Sequence, residues 1–115
     1  MKIALIGYGK MGHAIEKIAR ERGHEIVAVI DVDNVADIHG PAFASADVAI
    51  EFTTPATAPA NIVEAARAGV PVVCGSTGWG ARRAEVEKAV TEAGGTLLAS
   101  SNFSIGVNTV SYTHL

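Results

Sequence analysis

A glycine pattern near the start of the chain constrains the fold more than any other feature. Gly7, Gly9 and Gly12 have the spacing GxGxxG. The pattern directly follows an apolar run typical of a buried strand, and apolar or small residues at helical spacing follow it. An acidic residue, Asp31, stands nineteen positions after Gly12, where a second apolar run ends. Together these features predict a βαβ unit that binds a dinucleotide.

Each glycine of such a unit has a physical role. Gly7 permits the tight turn, Gly9 lets the backbone approach a pyrophosphate, and Gly12 lets helix and strand pack closely. The free N–H groups at the helix N-terminus donate hydrogen bonds to the phosphates. Asp31 accepts hydrogen bonds from the adenosine ribose hydroxyls. A glycine turn without a ligand is the alternative, and the surrounding pattern disfavours it.

The rest of the chain repeats the alternation of strand and helix. We predict strands at residues 2–6, 25–30, 48–52, 71–74 and 96–99. We predict helices at 10–22, 58–68 and 81–93, with a short helix or an irregular crossover within 32–46. Strands that alternate with helices of this length predict an α/β fold with a doubly wound, mainly parallel sheet. This is the Rossmann dinucleotide-binding fold.

Charge, cysteine content and hydropathy disfavour several other classes of protein. The net charge of −3 gives no electrostatic reason to expect a nucleic acid or a membrane surface as partner. The single cysteine, Cys74, lies in an apolar run, so we interpret it as a buried core residue rather than a nucleophile. No cluster of His and Cys has metal-ligand spacing. The first apolar run is too short for a membrane span or a secretion signal, and we expect a cytoplasmic protein.

Polar loops follow three of the predicted strands. They are 52–55, 75–79 and 100–103. Ligands of a doubly wound sheet lie beyond the carboxyl ends of its strands, so these loops can pair with a nicotinamide carboxamide or a ribose. Capping of the following helix is an equally good interpretation for Thr53 and Thr54. Trp79 either shields the cofactor or covers the sheet edge, and the sequence does not separate these two roles.

The choice between NADH and NADPH stays open on the sequence. Asp31 would repel a 2′-phosphate, and the residues that follow it, Val32 and Asp33, include no arginine or lysine, which favours NADH. Lys10 lies in the phosphate loop and can reach a 2′-phosphate, which keeps NADPH open. A solvated surface lysine is at least as good an interpretation of Lys10.

Four strings of the sequence resemble a known family, the 4-hydroxy-tetrahydrodipicolinate (dihydrodipicolinate) reductases of lysine and diaminopimelate biosynthesis. The strings are IGYGKMG, EFTTPA, VCGSTGW and SSNFSIGVN. The resemblance implies an oxidoreductase in which NADPH or NADH transfers a hydride to a cyclic imine dicarboxylate. It implies that the cofactor is bound by residues of the four strings and by Asp31. These residues are Gly7, Tyr8, Gly9, Lys10, Met11, Gly12, Asp31, Phe52, Thr53, Gly75, Ser76, Thr77, Ser100, Ser101, Asn102 and Phe103.

The same resemblance implies a substrate domain with a His-His pair, a lysine and a glycine-rich dicarboxylate loop, and a homotetramer built through that domain. This sequence has no His-His pair. We therefore expect residues 1–108 to form the dinucleotide-binding domain, with the substrate domain and the catalytic residues absent. Residues 109–115 lack the expected helical period, and we interpret them as a tail that is not native.

Two other functions remain as alternatives. One is a stand-alone module that senses NAD(H) without chemistry. The other is the nucleotide domain of an aspartate-type or homoserine-type dehydrogenase, and the string SSNFSIGVN argues against it.

Overall fold

The computed structural model describes residues 1–100 and 109–113. Strands alternate with helical segments along residues 1–100. The strands are β1 (Lys2–Ile6), β2 (Glu25–Ile30), β3 (Val48–Glu51), β4 (Val72–Cys74), β5 (Thr96–Ser100) and β6 (Thr109–Thr113). The helices are α1 (Lys10–Glu21), α2 (Pro41–Ala44), α3 (Ala58–Arg67) and α4 (Arg83–Glu92), with 3₁₀ turns at Val35–His39 and Gly80–Arg82. The predicted alternation is confirmed, with small differences at the ends of elements.

The strands form one sheet in the order β2-β1-β3-β4-β5-β6. All pairings among β1 to β5 are parallel. β1 lies between β2 and β3, so the chain winds outward from β1 in both directions. A ligand crevice forms at the carboxyl ends of the strands where the winding reverses. The α/β fold with a doubly wound, mainly parallel sheet is confirmed.

The core lies on both faces of this sheet. On one face Phe43, Ile62 and Val86, from α2, α3 and α4, belong to a single buried cluster. On the other face Leu5 of β1 packs in a second cluster with Ala19 of α1. Because both faces are covered, the inner strands are nearly continuous apolar runs, as buried parallel strands require.

Helix α3 is positioned by residues at its two ends. Pro59 lies in the first turn, where a missing backbone N–H costs no helical hydrogen bond. Gly69, with φ +81°, follows the last turn and donates its N–H to the Ala66 carbonyl, which ends the helix. Ala65 and Ala66 are buried and small, so α3 lies close to the sheet. The first turn of α3 therefore stands beside the carboxyl end of β3.

The segment between β2 and β3 is a short, irregular crossover, as predicted. It consists of the 3₁₀ turn Val35–His39 and the four residues of α2. Ile38 and Phe43 are buried and anchor the segment to the core. No further strand lies beyond β2 in the described sheet, so β2 is one of its edges.

Strand β6 is an addition to the predicted fold. It pairs antiparallel with β5, with Thr109 opposite Ser100 and Thr113 opposite Thr96. We set this segment apart as a tail and predict no strand there. Its sequence TVSYT is rich in β-branched and aromatic residues, which suits a strand that adds to a sheet edge. The non-native origin of residues 109–115 stays a prediction.

None of the helices in the described ranges combines the length and the apolar character that a membrane crossing requires.

We predict that Ile62→Ala destabilises the fold strongly. Ile62 is fully buried between α3 and the sheet, and truncation of a buried isoleucine to alanine costs about 2–5 kcal/mol. The free energy of unfolding in urea measures the effect. Ile18→Ala is the matched control, because Ile18 lies on α1 with half of its surface exposed (50%). Equal losses of stability at the two positions would contradict the packing described above.

Candidate functional site

A cleft of about 530 Å³ opens at the carboxyl ends of β1, β2 and β3. Its walls come from the glycine loop, the end of β2, the loop after β3 and the first turn of α3. The cleft brings together the following predicted site residues: Gly7, Tyr8, Gly9, Asp31, Phe52 and Thr53. It also includes Val32, Val35, Thr57 and Asn61, which the sequence analysis did not assign to the site. The cleft lies where a doubly wound sheet binds its ligand.

The turn between β1 and α1 tolerates only glycine at two positions. Gly7 has φ +99°, and a Cβ placed there would lie 2.0 Å from the Phe52 carbonyl oxygen. A Cβ on Gly12 would lie 2.5 Å from the Gly7 carbonyl oxygen. Both contacts are far shorter than van der Waals distance. The predicted roles of Gly7 in the tight turn and of Gly12 in close packing are confirmed.

Gly9 differs from its two neighbours in the pattern. Its backbone has φ −83°, which any residue adopts, and no described atom lies within 4 Å of a Cβ placed on it. The packing of the chain itself therefore does not require glycine at this position. Gly9 is one of the residues that line the cleft.

The N-terminus of α1 begins at this open space. Gly9 is the N-cap residue, and within residues 1–100 no side chain caps the helix there. Backbone N–H groups of the first turn are consequently left as hydrogen-bond donors. Lys10 and Met11, the first residues of the helix, are exposed. An uncapped helix N-terminus next to an exposed lysine suits an anionic group.

Tyr8 is held against α1 by its own contacts. Its hydroxyl donates a hydrogen bond to the Glu16 carboxylate, and its ring centre lies 3.8 Å from that of His13. Glu16 also pairs with Arg20 at 3.0 Å. The hydrogen bond to Glu16 raises the pKa of Tyr8, and the same bond, followed by the one from Arg20, lowers the pKa of Glu16. Tyr8 is therefore a neutral, fixed part of the cleft wall at physiological pH.

The end of β2 presents Asp31 and two exposed valines. Asp31 is half-buried, and its backbone N–H donates to the Asn34 side-chain oxygen at 2.6 Å. The Asn34 amide in turn donates to the Val29 carbonyl at 2.7 Å, which holds the turn after β2. Val32 and Val35 line the cleft with 82% and 52% of their surface exposed. A carboxylate beside exposed apolar surface can take the hydroxyls and the flat base of a nucleoside.

Glu51, the last residue of β3, is a fully buried carboxylate that the sequence analysis missed. It accepts hydrogen bonds from the Ser76 hydroxyl at 2.6 Å and from the Asn61 amide at 3.2 Å. The Thr53 hydroxyl and, at 3.4 Å, the Cys74 thiol also donate to it. A polar group without exposed surface needs such donors, because burial removes its hydration. An acidic residue inside the apolar run VAIEF is the signal that could have identified it.

The loop after β4 is joined to the loop after β3 through Ser76 and Gly75. Ser76 is buried, and its hydroxyl accepts from the Thr53 N–H at 2.7 Å while donating to Glu51. A Cβ on Gly75 would lie 1.9 Å from the Phe52 ring, so only glycine leaves room for that ring. The two predicted loops therefore meet, and the Ser76 hydroxyl is engaged inside the protein.

The capping interpretation of Thr53 and Thr54 is wrong. Helix α3 begins later than that interpretation requires, and its N-cap residue is Thr57. The Thr57 hydroxyl donates to the Thr53 hydroxyl at 2.9 Å and bonds the Thr54 hydroxyl at 3.0 Å. The threonines thus form a hydroxyl cluster at the cleft instead of capping the helix.

Trp79 belongs to the core. It is buried, its indole N–H donates to the Ser76 carbonyl at 3.0 Å, and the Arg83 guanidinium lies 5.5 Å from its ring. Of the two roles considered for Trp79, packing against the sheet fits this position. Its hydrogen bond to the Ser76 carbonyl helps to hold the loop after β4 in place.

The remaining predicted residues of the site are described in part. Thr77 is exposed in the loop after β4, and Ser100 is the last residue of β5. Ser101, Asn102 and Phe103 lie outside the described residues. Within the described ranges no group of three or more His, Cys, Asp or Glu side chains could hold a metal ion.

The family described as "Dihydrodipicolinate reductase, N-terminus" matches residues 1–103. This chain belongs to that family. The match covers the glycine loop, the cleft and the loops after β3 and β4. The resemblance noted in the sequence is thereby confirmed.

Named relatives agree with this assignment. The chain is 40% identical over 108 residues to the 4-hydroxy-tetrahydrodipicolinate reductase of Christiangramia forsetii, covering 94% of this chain and 44% of that protein. It is 42% identical over 66 residues to the reductase of Staphylococcus aureus strain Newman, covering 48% of this chain and 25% of that protein. The chain thus spans less than half of the relatives it matches.

Two solved structures share the fold. The dipicolinate-bound dihydrodipicolinate reductase of Paenisporosarcina sp. TG-14 aligns with a TM-score of 0.70 and 21% identity, over 92% of this chain and 49% of that one. The WlbA dehydrogenase of Chromobacterium violaceum, in complex with NADH and UDP-GlcNAcA, aligns with a TM-score of 0.69 and 19% identity. That alignment covers 86% of this chain and 34% of the dehydrogenase.

We predict that the buried thiol of Cys74 reacts slowly in the native chain. Burial, followed by the charge of Glu51, raises the pKa of Cys74 to about 12, which agrees with its interpretation as a core residue. We expect an aromatic disulfide reagent near pH 8 to react with the native chain about a thousandfold more slowly than with the urea-unfolded chain, because the native thiolate is scarce. Raising the pH above the ordinary thiol pKa should also destabilise the fold, since the native state then holds a proton that the unfolded state has lost.

Cys74→Ser is the control for this measurement, because the sequence contains one cysteine and the variant should give no signal. Rapid reaction of the native wild-type chain, at the rate of the unfolded one, would contradict the burial of the thiol.

Proposed function

We propose that the chain is the cofactor-binding part of a 4-hydroxy-tetrahydrodipicolinate reductase and binds NADH or NADPH. In the whole reductase, a hydride passes from the nicotinamide to a cyclic imine dicarboxylate. Family membership supports the reductase. The observation that carries the cofactor is the cleft itself, in which the glycine loop, an uncapped helix N-terminus and Asp31 meet.

The pyrophosphate would lie over Gly9 at the start of α1. The open space at Gly9 is a cradle that a Cβ would fill, although the fold does not need it empty. The first N–H groups of α1 would donate to the phosphate oxygens. Lys10 and Met11 would border this cradle on its exposed side.

The adenosine half would lie at the end of β2. The Asp31 carboxylate would accept from the ribose hydroxyls, and no described side chain donates a hydrogen bond that would compete for it. Exposed Val32 and Val35 would cover a face of the adenine. Asp31 disfavours a 2′-phosphate while Lys10 can reach one, so the proposal includes both forms of the cofactor.

The nicotinamide half would extend in the opposite direction, over β3 and β4. In the sheet, β2 lies on one side of β1 and β3 and β4 lie on the other, so the two halves of the dinucleotide would lie on opposite sides of β1. Phe52, Thr53 and the segment 75–77 follow those strands. Ser76 would contribute through its backbone, since its hydroxyl is already bonded within the protein. Residues 100–103 complete this half as a prediction from the family.

The chain's own residues would bind and orient the cofactor, and the rest of the reductase would supply the substrate site. The chain spans 44% of the Christiangramia forsetii reductase and lacks a His-His pair. We assign the catalytic residues, and the homotetramer of the family, to that other part. A cytoplasmic location belongs to the same proposal. Membership of the reductase family disfavours the sensing module and the aspartate-type or homoserine-type dehydrogenase.

Gly9→Ala should abolish most of the cofactor affinity without unfolding the chain. The added methyl meets no described atom of the protein but stands where the pyrophosphate would lie. Loss of a hydrogen bond to a charged phosphate costs about 1.5–3 kcal/mol, so we expect NADH to bind about tenfold or more weakly. Titration of NADH fluorescence measures the affinity, and circular dichroism measures the fold.

Gly80→Ala is the matched control, since a Cβ there also meets no described atom and Gly80 does not line the cleft. It should leave NADH affinity unchanged. A folded wild-type chain that binds neither NADH nor NADPH would refute the proposed function.

We also predict that the chain binds NADH without oxidising it in the presence of the cyclic imine dicarboxylate. The reason is that the proposed catalytic residues lie in the other part of the reductase. Loss of NADH absorbance measures turnover, and a full-length reductase of the same family serves as the positive control. Turnover by the purified chain, absent from a Gly9→Ala sample, would place catalytic residues within these 115 residues.

A further inference from the structure

We propose that Glu51 is a positioning residue that holds together the loops after β3 and β4, where the nicotinamide half of the dinucleotide would lie. This inference rests on the proposed function and deepens it. The buried carboxylate would strengthen the binding of a whole dinucleotide and have little effect on the binding of the adenosine diphosphate half alone.

Glu51 is a costly residue to bury at its position in β3. Glu51 ends the apolar strand VAIE and has no exposed surface. A hydrophobic side chain at this position would spare the protein the burial of a polar group. Every donor to the Glu51 carboxylate in the described ranges comes from a residue outside β3, so the carboxylate satisfies groups that belong to other segments of the chain.

The donors to Glu51 belong to several different segments of the fold. Thr53 lies in the loop after β3, and Asn61 lies in α3. Both line the cleft. Ser76 lies in the loop after β4, on the side where the nicotinamide half would extend. One carboxylate therefore ties a wall of the cleft to the neighbouring loop.

The link between the two loops is a closed set of hydrogen bonds. The Ser76 hydroxyl donates to Glu51 at 2.6 Å and accepts from the Thr53 N–H at 2.7 Å. The Thr53 hydroxyl donates to the same carboxylate. Without the carboxylate, both hydroxyls lose their acceptor and rotate to other partners, so the loops lose their common anchor.

Asp31 and Val32, proposed to hold the adenosine half, line the same cleft as Thr53 and Asn61 but belong to a different segment, the end of β2. No hydrogen bond in the described structure joins Glu51 to Asp31, to Val32 or to the first turn of α1. A ligand that contacts only those groups should not sense the change at Glu51. A ligand that spans both halves should sense it fully.

The test compares two ligands on Glu51→Gln in the 115-residue chain. Glutamine preserves the shape of the side chain, but its amide nitrogen cannot accept a hydrogen bond. Each carboxylate oxygen of Glu51 accepts from two donors, so one pair of donors loses its acceptor. By isothermal titration calorimetry we expect the Kd of NADH to rise about tenfold, the size of one lost hydrogen bond to a charged group, and the Kd of ADP to stay within about twofold.

Glu64→Gln is the matched control. Glu64 is a partly buried carboxylate on α3 that pairs with Arg67 at 3.2 Å and does not line the cleft. It should leave both dissociation constants unchanged. A purely structural role for Glu51 would lower thermal stability while moving the two ligands together, so the ratio of the two constants is the diagnostic quantity.

Two outcomes for folded Glu51→Gln overturn the proposal: equal weakening of NADH and ADP, or no weakening of either. If circular dichroism shows that this variant does not fold, Ser76→Ala decides the matter. It keeps the carboxylate with its Thr53 and Asn61 donors and removes the link to the loop after β4, so the same selective loss of NADH is expected. Equal effects on the two ligands in Ser76→Ala overturn the proposal.

Failure of the proposed function would look different. A wild-type chain that binds neither NADH nor ADP refutes the proposed function and this inference together. A wild-type chain that binds both, with variants that show no selective loss, refutes only the role of Glu51.

Discussion

The approach of Gly7 to the end of β3 is the contact on which the rest of the structure depends. A Cβ at Gly7 would lie 2.0 Å from the Phe52 carbonyl oxygen, and one at Gly12 would lie 2.5 Å from the Gly7 carbonyl oxygen. Because these side chains are missing, β1 turns at once into α1, and the helix N-terminus stands directly above the sheet. The cleft, with Asp31 on its other side, exists because this turn is so tight.

A second constraint is the fully buried carboxyl group of Glu51. Most of the sheet interior is apolar and would be satisfied by many sequences of the same pattern. Glu51 instead needs donors at fixed places, and the structure supplies them from Thr53, Asn61, Ser76 and Cys74. The loops that follow β3 and β4 are therefore held together by hydrogen bonds as well as by packing of Phe52 on Gly75. This is the side of the sheet where precise loop geometry matters most.

Much of the site could be predicted because its signals are local. The glycine spacing, the helix after it and Asp31 all lie within one βαβ unit. Each of them can be interpreted from the residues next to it in the sequence. The capping interpretation of Thr53 and Thr54 failed because α3 begins later, with Thr57 as its N-cap residue and Pro59 in its first turn, and the Thr57 hydroxyl donates to the Thr53 hydroxyl. The role of Ser76 was also hidden, since its partners Glu51 and Thr53 are more than twenty residues away.

The sequence by itself determined the alternation of strands and helices, the position of the phosphate turn and the acidic residue at the end of β2. These features follow from periodicity and from the backbone demands of glycine, which act over a few residues. Only the tertiary structure decided which strand ends meet, that Trp79 packs in the core, and that one buried carboxylate joins two loops. Such contacts arise between segments far apart in the chain, and their energies depend on burial, which no local pattern specifies.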